Sequence, residues 1–176
     1  DEIILIKGNH DTILGPIARK RNVRVLEHYL VSPLIKKTLK NEKIIKKIPI
    51  GAKTHHLFKK IKMNKNESKN KILVMHGDEM PKKELLEDVS TIIIGHEHPA
   101  VSVREGARAE LFKAFLAGKW KKYNIIVQPS FNLVVEGTDV LKEEVLSPFL
   151  KGSLGDFSVI IASDKLYDFG KIKDLN

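Results

Sequence analysis

The sequence predicts an α/β fold, and three observations carry that expectation. Short apolar runs rich in β-branched residues recur along the chain, bounded by turn residues. A helical stretch separates the first two of them. Three runs end directly on polar clusters bearing glycine and histidine, and an α/β sheet gathers its ligands beyond the carboxyl ends of its strands. The 176 residues, 42% hydrophobic and 30% charged, suffice for one domain with a sizeable core. The longest apolar runs, about five residues, are far too short to span a bilayer, so no membrane segment is expected.

Taken in order, residues 2–7 form a nearly continuous apolar run around Ile3, Ile4, Leu5 and Ile6, the signature of a strand covered on both faces. Gly8 breaks it. Asp11 or Thr12 can cap a short helix to about Arg21, and residues 22–26 return to extended structure. A second helix is predicted over 34–47, started by Ser32-Pro33 and ended by Pro49 and Gly51, with 64–71 an exposed loop. Residues 72–75 read as a strand, 81–88 as a helix and 91–94 as a buried strand. Residues 111–118 are assigned to a strand paired with 125–127 through a turn at 121–124. Residues 158–162 and 166–172 make a hairpin around Ser163-Asp164-Lys165. There is no internal repeat and no Pro/Gly-rich linker, so residues 1–176 are taken as one domain with a lysine-rich insertion or lid at about 32–71.

Charge divides unevenly. Residues 1–71 hold 18 Lys or Arg against 6 Asp or Glu, whereas residues 72–176 hold 13 against 16. A basic half beside a mildly acidic one can steer a polyanion such as nucleic acid toward a cleft; a solvated lysine-rich surface is the plainer alternative. With no cysteine, disulfides, thiolate metal sites and cysteine nucleophiles are excluded. Any metal must bind through His, Asp, Glu or Asn. No signal-peptide pattern is present, and the expected location is the cytoplasm.

The chemistry concentrates in Gly8-Asn9-His10-Asp11, His76-Gly77-Asp78 and Gly95-His96-Glu97-His98. Asn9, His76, His96 and His98, with His10 as a further candidate, offer neutral N or O donors suited to divalent ions. His96 and His98 lie on one side if the local chain stays extended. Without bridging carboxylates these donors alone make a poor two-metal site.

In this order, each after a strand, the three blocks resemble the last three metal-site blocks of the calcineurin-like metallophosphoesterase superfamily. The segments at 96–101 and 128–132 resemble its branch of small, SbcD-related archaeal phosphoesterases. The likeness covers most of residues 2–135 apart from the lysine-rich tract. It implies a fragment of a two-sheet αββα sandwich. In it Asn9, His76 and His96 would ligate one divalent ion and His98 would contribute to a second. His10 would contact the scissile phosphate and protonate the leaving oxygen, oriented by Asp11, which suits an imidazole near neutral pH. Asp78 and Glu97 are read as supporting or loop residues. Arg104 and Arg108 are candidates for substrate phosphate, with surface salt bridging the alternative.

The superfamily's two earlier blocks, an Asp-x-His and a Gly-Asp, do not occur here. The resemblance therefore implies that an upstream segment would supply the carboxylate ligands and two central strands, with partial or no metal occupancy in this chain alone. The expected cofactors of a complete site are two divalent ions, Mn with Fe, Zn or Ni as alternatives. The expected partners are a phosphoester substrate, with nucleic acid among the candidates, the upstream segment, and a second copy of the chain if the open sheet edge is satisfied by dimerisation. The implied reaction is metal-dependent phosphoester hydrolysis, a phosphodiesterase or nuclease activity. The competing reading is a non-catalytic nucleic-acid-binding or structural protein that retains part of the fold.

Overall fold

The computed structural model describes residues 2–32 and 71–175. The helix predicted over 34–47 and nearly all of the loop predicted over 64–71 lie outside the described residues; Lys71 opens a strand. The fold is mixed α/β and mostly strand, with one α-helix among the described residues and three short 3-10 turns. Among the described residues no helix is long and apolar enough to cross a membrane.

The strands are β1 (Ile4–Ile6), β2 (Arg24–Leu26), β3 (His28–Val31), β4 (Lys71–Met75), β5 (Val89–Ile94), β6 (Pro99–Glu105), β7 (Arg108–Trp120), β8 (Tyr123–Val127), β9 (Thr138–Asp139), β10 (Ser158–Ala162) and β11 (Leu166–Lys171). β1 and β2 pair in parallel, Ile4 opposite Arg24, as a two-stranded sheet joined through α1 (Leu14–Lys20). The remaining strands form one large sheet in the order β11-β10-β7-β8-β5-β4-β3, with β6 added on β7 and β9 on β6.

Two parallel pairings at the centre decide where polar groups collect. β4 runs parallel to β5, and β5 parallel to β8. Their carboxyl ends, Met75, Ile94 and Val127, therefore open on one edge. β5 is the spine: Ile92 and Ile94 are fully buried, packed in a core with Leu73, Leu116, Ile125, Val127 and Val159. β7 serves two ladders. Its first half pairs with β6, Arg108 opposite Glu105, and its second half with β8 and β10. Because Leu116 lies opposite Val127, Lys113 projects past the carboxyl end of β8.

The hairpins of 111–127 and 158–172 form as the alternation of apolar residues predicts. The first turns on Lys121-Lys122, two residues rather than four, with Lys121 at φ 53° and Trp120 opposite Tyr123. Trp120 stacks on Tyr123 at 5.8 Å and tilts against Phe149 at 4.9 Å, which ties the hairpin tip to the 3-10 turn Pro148–Leu150.

Three expectations are corrected. The segment 81–88 is a single 3-10 turn, Lys83–Leu86; its only half-buried leucines, Leu85 and Leu86, are adjacent and cannot form the stripe that would dock a helix. α1 has Ile13 at its N-cap and no side-chain cap, because the Asp11 carboxylate accepts the Gly8 N–H at 2.8 Å instead. β1 is not covered on both faces: its residues are half-buried, Ile3 is 64% exposed, and β2 is its one partner among the described residues. β3, β6 and β9 were not expected.

The corner between β6 and β9 carries a pH dependence. Burial alone would push the Asp139 carboxyl up, but the Ser102 hydroxyl, the Leu141 and Ser102 N–H groups and Lys142 together hold it below its ordinary 3.8. The ionised form is favoured by the fold, so its stabilisation is complete above the ordinary carboxylate range and is lost as pH falls through the lowered folded value. Thermal unfolding followed from pH 6 to pH 2.5 should show a loss of stability below about pH 4 that is shallower in Asp139→Asn; identical acid limbs would assign the loss to other carboxylates.

Candidate functional site

Three turns meet at the carboxyl edge. The first follows β1, where Gly8 is buried against the His76 imidazole. A Cβ at position 8 would stand 2.8 Å from His76 Cε1, so only glycine lets this backbone approach the ring. The second follows β4 and carries His76, Gly77 and Asp78. The third follows β5, where the Gly95 N–H donates to the His76 carbonyl at 2.9 Å and locks the two turns edge to edge.

Asn9, His76 and His96 converge. His76 Nε2 lies 3.0 Å from Asn9 Oδ1 and 3.1 Å from His96 Nδ1, and the two imidazoles meet edge to face with centroids 4.9 Å apart. Nε2 of a neutral imidazole bears either one hydrogen or one lone pair. Facing two partners at this range, it cannot complete a normal hydrogen bond to both. A cation shared by the three atoms removes the conflict, since ligands about 2.1 Å from an ion stand about 3.0–3.4 Å apart. Burial pushes the His76 pKa down, with His96 and His98 adding to the effect and Asp78 and Asp11 opposing it. Burial also lowers His98, helped by His96 and Lys113 and opposed by Glu97. Both shifts favour the neutral ring, the state that ligates.

His96 and His98 are not on an extended segment, as the sequence reading required. They occupy a tight turn at φ 28° and 51°, a region that costs a non-glycine residue of the order of 1 kcal/mol or more. The turn is held from outside. Thr138 donates its hydroxyl to the Glu97 carbonyl and its N–H to the His98 carbonyl, both at 3.0 Å. Gly137 passes so close that a Cβ there would lie 2.3 Å from the His98 oxygen. Between the two histidines Glu97 points inward, 1% exposed. Its Oε2 accepts the N–H groups of Leu146 and Ser147 at 2.8 Å each, and Ser147 Oγ donates to the Gly77 carbonyl at 2.7 Å. The second and third turns are thus clamped together by a loop some fifty residues downstream. Glu97 Oε1 is buried and has no hydrogen-bond partner among the described residues.

The other expected residues are spread around this centre. His10 is exposed on the turn after β1, and the Asp11 carboxylate expected to orient it is engaged by the Gly8 amide. Asp78 lines an open cavity of about 970 Å³ with Asn9, His76, Lys7, Glu27 and His28. His28, at the start of β3, was missed; nothing but its place after another short apolar strand marked it. Arg104 and Arg108 sit at the tip of the β6–β7 hairpin, about 15 Å or more of strand away from the histidine turn, and are not part of the site. Among the described residues no group of three or more His, Asp or Glu converges as a self-contained metal site; the cluster is two imidazoles and one carboxamide.

Comparison with known protein families, with curated proteins and with solved structures gave no match.

The Glu97 clamp makes a paired prediction. Glu97→Ala leaves the buried Ser147 N–H and the half-buried Leu146 N–H without their acceptor and should cost about 2 kcal/mol or more, read as a lower thermal midpoint. Glu97→Gln keeps one carbonyl oxygen for both amides and should fall within about 1 kcal/mol of the parent in denaturant unfolding. Equal, large losses in both would show instead that the negative charge itself is required.

Proposed function

We propose that this chain supplies the neutral-donor half of a divalent-metal-dependent phosphoesterase of the calcineurin-like superfamily, within a two-sheet αββα sandwich completed by carboxylates from outside these 176 residues. The observation that carries the reading is the convergence of Asn9, His76 and His96 from three separate sequence blocks onto one point. Asn9, His76 and His96 would hold one ion, with His98 turned toward a second; manganese is the preferred metal and iron, zinc or nickel the alternatives. When bound, such ions polarise a phosphoryl oxygen and lower the pKa of water.

The residues of this chain have their own tasks. Neutral imidazoles and a carboxamide leave the net charge of the ions uncancelled, which favours an anionic substrate. His10, exposed beside Asn9, can reach a phosphate in the solvent and give its proton to a departing oxygen. The Gly8–Asp11 hydrogen bond closes the turn that presents His10 and Asn9 together. A phosphodiester is the preferred substrate and nucleic acid the preferred source, on the strength of the net charge of +9.

The rival reading, a binding protein that keeps the fold without catalysis, is favoured by the lack of a carboxylate among the converging donors. The deciding experiment measures bound metal and hydrolysis of bis(p-nitrophenyl) phosphate and p-nitrophenyl phosphate. It compares this chain alone with the chain joined to an upstream segment bearing Asp-x-His and Gly-Asp blocks. The expected outcome is about two ions and chelator-sensitive turnover only in the longer form, with a 10²- to 10⁴-fold loss in His10→Ala. Absence of turnover and of stoichiometric metal in both forms would decide for the binding protein.

A further inference from the structure

Arg104 and Arg108 are carried away from the carboxyl edge along the β6–β7 hairpin, so the negative charge of a phosphoester there must meet some other cation. The lysines beside Asn9 and His76 have acidic company. Lys7 pairs with Glu27 at 3.2 Å, and Lys82 shares its cavity with Asp78, Glu79 and Glu84. Lys113, on the side of the histidine turn, does not.

Lys113 lies opposite Ala100, the second residue after His98, and its half-buried side chain passes the carboxyl end of β8 to the loop beyond. There it donates to the Ser130 carbonyl at 3.1 Å and to the Asn132 carbonyl. The loop is fastened at both ends to the elements that carry the histidines. The Gln128 N–H donates to the Ile94 carbonyl at 2.8 Å, just before Gly95 and His96, and the Thr138 N–H to the His98 carbonyl at 3.0 Å. Ser130 Oγ also accepts the Asn132 N–H at 3.1 Å. The carbonyls that hold the ammonium are thus fixed in turn. Its charge reaches His98, where it joins burial and His96 in lowering the imidazole pKa.

An ammonium has three N–H groups, and two go to these carbonyls. Among the described residues no carboxylate forms an ion pair with Lys113. Carbonyl dipoles do not cancel a full charge, and a half-buried cation without a counterion is costly. A neutral donor would serve to pin the loop; the charge and the third N–H suit an anion.

We infer that Lys113 is a substrate-binding residue, its third N–H donating to a non-bridging phosphoryl oxygen of a phosphoester held on the His98 side of the centre. The inference rests on the phosphoesterase reading and adds a substrate contact to it. Lysine suits the task as a compact point charge that follows an oxygen without demanding a planar, two-pronged fit. Monoesters and diesters present that oxygen alike, so the contact holds the phosphoryl group and does not select the alcohol.

Two measurements test this. The first is isothermal titration calorimetry of inorganic phosphate into the 176-residue chain, in EDTA at constant ionic strength. Lys113→Met should weaken binding by about 10-fold or more, the loss of one charge-assisted hydrogen bond, and Lys113→Arg should recover most of it. Lys119→Met, at the far end of the same strand about 20 Å away, should change nothing. The second is turnover of bis(p-nitrophenyl) phosphate by the chain joined to the upstream segment, where KM should rise in Lys113→Met by a similar factor. No phosphate binding by the parent, or equal binding by Lys113→Met, overturns the inference. So does a lower thermal midpoint in Lys113→Met with phosphate affinity unchanged, which would make Lys113 a loop pin. A fall in phosphate affinity with KM unchanged overturns the substrate contact and leaves a site for free phosphate. Lys113-dependent phosphate binding in a protein that hydrolyses no phosphoester with any metal keeps the anion contact and removes the catalytic reading, so the two can fail separately.

Discussion

The arrangement of the candidate site depends on one buried carboxylate. Glu97 sits between two histidines held at positive φ, an arrangement that the turn would not keep if left to its own preferences. Its Oε2 binds two consecutive amides of the 146–147 segment, and Ser147 in turn holds the Gly77 carbonyl. Two hydrogen bonds from consecutive amides to one buried oxygen fix that segment's position more tightly than either bond alone would. The cost of placing a carboxylate there is repaid in position: the turns that carry His76 and His96 keep one fixed separation. Strain at the histidines and a buried carboxyl group between them are two sides of the same device.

The site built on this device is rich in lone pairs and poor in charge. The His76 ring nitrogen lies 3.0 Å from the Asn9 carboxamide and 3.1 Å from the His96 ring, and it cannot complete a normal hydrogen bond to both. In the proposed site a shared cation would relieve that conflict, with carboxylates from elsewhere supplying the charge balance. The parallel pairing of β4 and β5 brings His76 and His96 to one edge, because parallel strands place equivalent ends together, and Asn9 arrives from the separate β1–β2 sheet through the close approach of Gly8 to the His76 ring. The same edge receives the 128–138 loop, since β8 ends there.

Much of the sheet was legible from local pattern. The runs ending at Met75 and Ile94 and the hairpins of 111–127 and 158–172 announce themselves by apolar runs and turn residues. β3 and β9 escaped because they are short and exist through their partners: among the described residues His28–Val31 pairs with β4 alone and Thr138–Asp139 with β6 alone. The helix expected over 81–88 failed for the converse reason, a favourable local composition whose apolar residues, Leu85 and Leu86, are adjacent rather than spaced along one face. Asp11 was misjudged as a helix cap because a nearer amide, that of Gly8, competes for it.

By itself the sequence determined which residue types reach the edge. Glycine beside histidine at the end of an apolar strand is a local instruction for a tight turn bearing a ligand-type side chain, and it can be read without knowing the fold. Only the tertiary structure decided that Asn9, His76 and His96 share one point, that Glu97 faces the interior rather than the solvent, and that Arg104 and Arg108 are carried away along the hairpin of β6 and β7. Those outcomes depend on strand order, register and contacts such as the one from Glu97 to Leu146 and Ser147, which link residues some fifty positions apart and leave no periodic trace in the chain.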